Sequence, residues 1–163
     1  MRKIGRPILI VLSSLGLAGS ALAQGNFIAH LDGASQVPPV DTLAQGQFVA
    51  KLRGDELSYK LIVANITNVF ASHIHCGAAD VTGPIGVTLF SGSPMAVNGI
   101  LAQGPILAPN PGNACGWADL DDVIDALLSG DTYINVHTTQ NPPGEIRGQV
   151  EIAGRGRGAL HRP

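Results

Sequence analysis

The feature that most constrains the fold is a period-two alternation of apolar and polar residues, interrupted at short intervals by turn residues. In residues 46–52, Phe48 and Leu52 fall on one side of an extended chain, and Gln47, Val49 and Lys51 fall on the other. The same alternation returns over residues 56–66, after a turn at Arg53-Gly54-Asp55. This pattern is typical of two β-strands with one buried face that are joined as a hairpin.

The composition excludes several classes of protein. Apolar residues make up 45% of the chain and charged residues only 13%, which excludes a disordered polyampholyte. The 21 glycines and 11 prolines indicate many turns, but they follow no G-X-Y period, so a collagen is excluded. The net charge of −2 excludes a strongly basic protein, and we predict no nucleic-acid partner.

The rest of the chain contains further short strands and one helix. Strands are predicted at residues 27–31, 71–75, 85–90, 132–138 and 144–152. Residues 91–117, rich in Gly, Pro and Asn, are predicted to form a long loop. A helix is predicted over residues 119–128, because acidic residues open it, apolar residues follow at helical spacing and Gly130 can end it.

About seven short strands with one helix and no βαβ spacing predict an all-β domain. We expect an antiparallel Greek-key β-sandwich, similar to the immunoglobulin and superoxide dismutase folds, over residues 24–153. In the last hairpin, Ile134 and Val136 are expected to face the core. Tyr133, Asn135 and His137 then belong to an opposite, polar face, together with Glu145 and Arg147.

The two ends of the chain are predicted to lie outside this domain. Residues 1–23 have a basic start, an apolar stretch at residues 8–17 and an A-x-A site at Ala21-Leu22-Ala23, in the order typical of a secretory signal. The apolar stretch is too short to span a membrane, and no transmembrane segment is predicted after cleavage. Residues 154–163 are predicted to form a flexible Gly/Arg-rich tail. We therefore expect an exported protein, periplasmic or extracellular.

Only two cysteines are present, Cys76 and Cys115. An even number of cysteines in an exported protein favours a disulfide. The alternative is that Cys76, beside His75, acts as a thiolate ligand of a metal.

A series of short motifs follows a fixed order from residue 27 to residue 152. The motifs are Phe27-x-Ala29-x-Leu31-x-Gly33, Gln36-Val37-Pro38-Pro39-Val40, Thr42-x-Ala44-x-Gly46, His73-Ile74-His75-x-Gly77, Gly83-Pro84-Ile85, Leu89, Tyr133-Ile134-Asn135-Val136-His137-Thr138 and Gly144-Glu145-Ile146-Arg147-Gly148-Gln149. This order resembles the chordin-type CHRD domain, found in metazoan chordin and as single exported bacterial modules. The resemblance implies a β-sandwich but no settled biochemical activity. Gln36 stands where such domains often carry Glu.

Three histidines form the candidate metal site. His73 and His75 are two residues apart on a predicted strand, so they point to the same face, and His137 lies on the polar face of another strand. Three neutral imidazoles would suit Zn²⁺ or Cu²⁺, with Glu145 or Asn135 orienting a ring. The alternative is that the histidines are hydrogen-bonded structural residues. The spacing His-x-His is also similar to that in copper–zinc superoxide dismutases, but the bridging-His loop and the zinc-loop Asp are missing.

Three functions follow from these observations. The first is a non-enzymatic exported module that binds a protein or cell-surface partner through its polar face and long loop, with Asn135, Glu145 and Arg147 forming a polar network. The second is a Zn- or Cu-binding protein that uses His73, His75 and His137. The third is a dismutase-type oxidoreductase. We predict no catalytic residues, since no nucleophile stands in a recognisable arrangement.

Overall fold

The computed structural model describes residues 24–154, so the predicted secretory signal and all but the first residue of the predicted tail lie outside the described part of the chain. The elements, in chain order, are β1 (Gln24–Asp32), β2 (Gln45–Arg53), β3 (Glu56–Cys76), β4 (Ile85–Ile106), α1 (Leu120–Ser129), β5 (Thr132–Thr138), β6 (Ile146–Gln149) and β7 (Glu151–Ile152). The prediction of a mostly β domain with one short helix is confirmed. No helix among these residues is long and apolar enough to cross a membrane.

The strands form one antiparallel sheet in the order β2-β1-β6-β5-β3-β4, with β7 beside β1. Strand β3 is long enough to pair twice: its first part pairs with β2, and residues 69–76 pair with β5. Because β3 joins both ends of the path β2-β1-β6-β5, the sheet forms a closed, barrel-like arrangement. These pairings do not confirm the Greek-key sandwich.

Strand β3 replaces two strands that the sequence analysis predicted separately. Asn65 and Asn68 have φ angles of 56° and 57°, and the pairing with β4 shifts register on both sides of Ile66. Asparagine tolerates this left-handed conformation better than most residues, and such irregularities bend a strand without ending it. The bend allows one continuous strand to pair with both β2 and β5.

The long loop predicted over residues 91–117 is wrong for most of its length. Strand β4 continues to Ile106, and it pairs with β3 along the whole of that strand. It lies at the end of the strand order, where Pro94 and Pro105 are tolerated because an edge strand leaves half of its N–H groups unpaired. The glycines and prolines that indicated a loop therefore mark an edge strand.

The core lies inside the barrel and beneath the helix. Every second residue of β1, β2, β5 and β6 contributes to it, and the largest fully buried side chains include Phe27, Phe48, Leu61, Ile74, Ile134 and Ile146. Helix α1 buries Val123 and Leu127 against this core. Its start and end are as predicted: Asp119 accepts a hydrogen bond from the Asp122 N–H, and Gly130 is left-handed with φ 82°.

Strand β5 separates the core from a second, polar face. All seven of its residues are buried, Ile134 and Val136 in the core and Tyr133, Asn135 and His137 on the opposite side. The polar face is covered by three loops, at residues 33–43, 77–84 and 139–145. The polar face predicted from the sequence is therefore covered by loops.

A disulfide joins Cys76, at the end of β3, to Cys115, with a Cα–Cα distance of 5.8 Å. The predicted bond is confirmed, and neither cysteine is free to act as a thiolate ligand. The bond holds the segment before α1 against the base of the 77–84 loop.

Candidate metal centre

The pairing of β3 with β5 brings the three histidines together. His73 and His75 lie on one face of β3, where they stand opposite Asn135 and Tyr133 of β5, and His137 stands opposite Ala71. Facing and diagonal residues of antiparallel strands are close enough for long side chains to touch. One ligand nitrogen from each of the three rings lies within 4.8 Å of those of the other two.

Two of the rings are oriented by backbone carbonyl groups. The Nδ1 atom of His75 is 2.9 Å from the Gly83 oxygen, and the Nδ1 atom of His137 is 2.9 Å from the Pro142 oxygen. A carbonyl oxygen can only accept, so both Nδ1 atoms carry the proton and donate it. Each Nε2 atom is therefore left with a lone pair, as in histidines that bind metal ions.

The third ring, His73, is less buried and is bound within the cluster. Its Nδ1 atom is 3.0 Å from the Nε2 atom of His137. Because that Nε2 atom has no proton, His73 donates this hydrogen bond. His73 must therefore break its hydrogen bond to His137 before all three nitrogens can face an ion.

The Nε2 atom of His75 is buried and has no hydrogen-bond partner among the described residues. A buried acceptor left without a partner costs about 1–3 kcal/mol. Three other buried side-chain atoms share this condition, Ser72 Oγ, Thr132 Oγ1 and Gln149 Oε1, but none of them belongs to the converging group. An ion bound to the three rings would give His75 Nε2 a partner.

Burial keeps the three imidazoles neutral. It lowers the pKa of His73 to about 4, helped by the charges of His137 and His75. It also lowers the pKa of His75 to about 4, against the opposing effect of the hydrogen bond to Gly83, and it lowers the pKa of His137 against the bond to Pro142. Neutral imidazole is the form that binds metal ions, so the rings need lose no proton at neutral pH to become ligands.

Gly83 forms hydrogen bonds with both His75 and the neighbouring Tyr133 and so fixes the position of His75. The Gly83 oxygen accepts from His75 and, at 3.2 Å, from the Tyr133 hydroxyl, which in turn accepts from the Gly83 N–H at 3.0 Å. A Cβ atom at residue 83 would collide with the carbonyl oxygen of Cys76, so only glycine fits there. The 77–84 loop is closed by a bond from the Cys76 N–H to the Pro84 oxygen.

A stack of three side chains extends from the histidine cluster. The His75 and Tyr133 rings are stacked, with centroids 4.8 Å apart and planes inclined by 12°. The guanidinium carbon of Arg147 lies 3.5 Å from the centroid of the Tyr133 ring, a cation–π contact. Arg147 is also bonded to the Ala78 oxygen of the 77–84 loop.

The polar residues predicted as a network share one face but bond to other partners. Asn135 bonds to Gln36 at 2.7 Å and to the Pro143 oxygen. Glu145 accepts from two hydroxyl groups, those of Thr42 and Thr138. The predicted orienting role of Glu145 or Asn135 is therefore wrong: the carbonyl groups of Gly83 and Pro142 orient the rings.

Sequence reasoning missed these two carbonyl groups because every residue carries a backbone carbonyl, so no residue type marks one that accepts a hydrogen bond. A signal was nevertheless present. Gly83-Pro84 and Tyr133 both belong to the motifs of the CHRD resemblance. The site depends on the missing side chain of Gly83 and on the hydroxyl group of Tyr133.

A comparison with known families supports the resemblance found in the sequence. The family model described as CHRD domain matches residues 27–150, which include strands β2 to β6 and all three histidines. Comparison with curated proteins and with solved structures found no significant match. Since the family model covers most of the chain, the protein belongs to the CHRD domain family.

Proposed function

We propose that this chain is an exported, non-enzymatic CHRD module that binds one transition-metal ion through His73, His75 and His137. The observation that carries the proposal is the convergence of three neutral ring nitrogens, one of which is buried without a partner. Imidazole nitrogen suits both zinc and copper, and these are the ions we propose.

The cluster has the features of a site prepared for an ion. Two of the three rings have their Nδ1–H groups held by carbonyl oxygens of loops that cover the polar face. Such outer hydrogen bonds fix which nitrogen carries the lone pair and where it lies. Of the four buried side-chain atoms without a partner among the described residues, His75 Nε2 alone belongs to the converging group, which supports the proposal.

The covered polar face argues against the partner-binding mode expected from the sequence. A protein or cell-surface partner would have to displace three loops to reach Asn135, Glu145 or Arg147, all of which are buried. Most of the expected binding loop belongs to strand β4. The disulfide supports export, because such bonds persist in oxidising compartments.

Metal loading of the mature protein tests the proposal. The protein is prepared from residue 24 without a histidine tag, and bound metal is measured by mass spectrometry after incubation with Zn²⁺ or copper and removal of excess ion. We expect about one ion per chain, with a rise in melting temperature. The double variant His73→Ala/His75→Ala should lose both effects.

His30→Ala is the matched control, since His30 is exposed and lies outside the cluster. It should load metal as the wild type does. If the wild type binds neither zinc nor copper and its melting temperature does not change with either ion, the metal-binding proposal is wrong.

A further inference from the structure

Arg147 is a buried cation beside the histidine cluster. Only 3% of its surface is exposed, and its guanidinium group contacts the Ala78 oxygen and the Tyr133 ring. The acidic residue whose charge acts on it is Asp80, an exposed residue of the covering loop. The charge of Arg147 is therefore screened less than that of a surface arginine.

The order of the strands places Arg147 near the histidine ligands. Strand β5 lies between β6 and β3, so Tyr133 lies between Arg147 and His75. The two stacking distances place the guanidinium carbon no more than roughly 8 Å from the centre of the His75 ring, where charge interactions remain appreciable at an effective dielectric constant of about 20.

The donor set brings no negative charge to offset this cation. The converging group contains three neutral imidazoles and neither a carboxylate nor a thiolate. Glu145 accepts hydrogen bonds from two threonine hydroxyls and is not one of the converging ligands. A bound divalent ion would keep its full charge next to Arg147, whereas a monovalent ion would experience half of that repulsion.

The number of donors points the same way. Divalent copper prefers a square-planar or tetragonal set of nitrogen and oxygen donors, while only three protein nitrogens converge here. Resting on the proposed metal-binding function, we propose that the site prefers monovalent over divalent copper and that Arg147 is the residue that sets this preference.

Copper affinities and potentials measured on the mature protein test the proposal. Cu(I) affinity is measured anaerobically by competition with a chromophoric Cu(I) chelator, and Cu(II) affinity by competition with a Cu(II) chelator. The Cu(II)/Cu(I) midpoint potential is measured with a mediator that supplies the one electron. We expect the wild type to bind Cu(I) at least about tenfold more tightly than Cu(II).

Removing the charge of Arg147 should reduce this preference. In Arg147→Gln the ratio of Cu(I) to Cu(II) affinity should fall about tenfold, which for a one-electron couple is a drop of about 59 mV in midpoint potential. Zn²⁺ affinity should rise about a hundredfold in the same variant, because a divalent ion experiences twice the repulsion of a monovalent ion. Arg147→Lys keeps the positive charge but loses the planar stack on Tyr133, so its ratio should fall less than that of Arg147→Gln.

Arg53→Gln is the matched control for net charge, because Arg53 is exposed in the turn between β2 and β3. It should leave the ratio unchanged. If Cu(II) binds the wild type more tightly than Cu(I), or if Arg147→Gln keeps the wild-type ratio, this inference is overturned while metal binding stands. If no metal binds at all, the proposed function itself has failed. The wild-type comparison decides the matter even if Arg147→Gln does not fold.

Discussion

Lowering the pH from 7 to 5 should destabilise the metal-free protein through its buried histidines. The pKa of His75 is about 4 in the folded chain, against 6.5 for an ordinary histidine, which the unfolded chain should approach. The folded chain therefore binds fewer protons than the unfolded chain below about pH 7. Since stability rises with pH wherever the unfolded state binds more protons, the stabilisation present above pH 6.5 is lost as the pH falls toward 4.

The size of the effect follows from the pKa difference. For His75, which is 6% exposed, the free energy of unfolding should fall by about 2 kcal/mol between pH 7 and pH 5, and by about 3 kcal/mol at pH 4. The pKa of His73 is also lowered to about 4, but this ring is partly exposed, so solvent screening makes its contribution smaller. Most carboxylates titrate below pH 5, which keeps their effect largely outside the window.

Urea denaturation of the chelator-treated protein at pH 7, 6 and 5 measures this dependence. His75→Gln should be less stable at pH 7 but should lose about 2 kcal/mol less than the wild type over this window, because glutamine binds no proton. His30→Gln, at an exposed histidine outside the cluster, is the matched control. If the wild type and His75→Gln lose stability equally, His75 is not held neutral by burial, and the reasoning about the cluster is wrong.

Two further predictions concern the 77–84 loop. Gly83→Ala should lower the free energy of unfolding by about 1–3 kcal/mol, because its Cβ atom collides with the Cys76 carbonyl group. It should also weaken metal binding by moving His75. Urea denaturation and metal titration check the two effects, and unchanged metal affinity would contradict the assigned role of the Gly83 carbonyl. The free energy of unfolding of Cys76→Ser/Cys115→Ser should be about 3–4 kcal/mol lower, since the disulfide spans a sequence separation of 39 residues. Thermal denaturation under non-reducing conditions measures this loss. A loss below about 1 kcal/mol would show that the bond adds little stability.

The parts of the fold that were predictable are those set by nearby residues. The hairpin around Arg53-Gly54-Asp55 and the helix between Asp119 and Gly130 carry their own turn and capping signals, and the structure confirms both. Strand β4 lacked such a signal, because glycine and proline indicate a loop unless one knows that the strand lies at an edge. The closure of the sheet depends on β3 bending at Asn65 and Asn68, which no alternation pattern reports.

Part of the candidate site was also predictable from the sequence. The residue types and the two-residue spacing placed His73 and His75 on one face, and motif order associated them with His137. Their mutual distances depend on the register between β3 and β5, which is set by long-range pairing. Backbone carbonyl groups such as that of Gly83 leave almost no mark in a sequence, so the orientation of the rings required the structure.

A buried polar face is costly unless each of its groups finds a partner. Here the covering loops supply partners to Asn135, Glu145 and Arg147. The same loops hold the His75 ring and yet leave its Nε2 atom without a partner. An ion bound at that atom would recover the cost of about 1–3 kcal/mol and would stabilise the folded chain by about 2.7 kcal/mol at a free concentration one hundred times its dissociation constant. The unpaired Nε2 atom and the proposed binding of an ion thus follow from one arrangement of the covering loops.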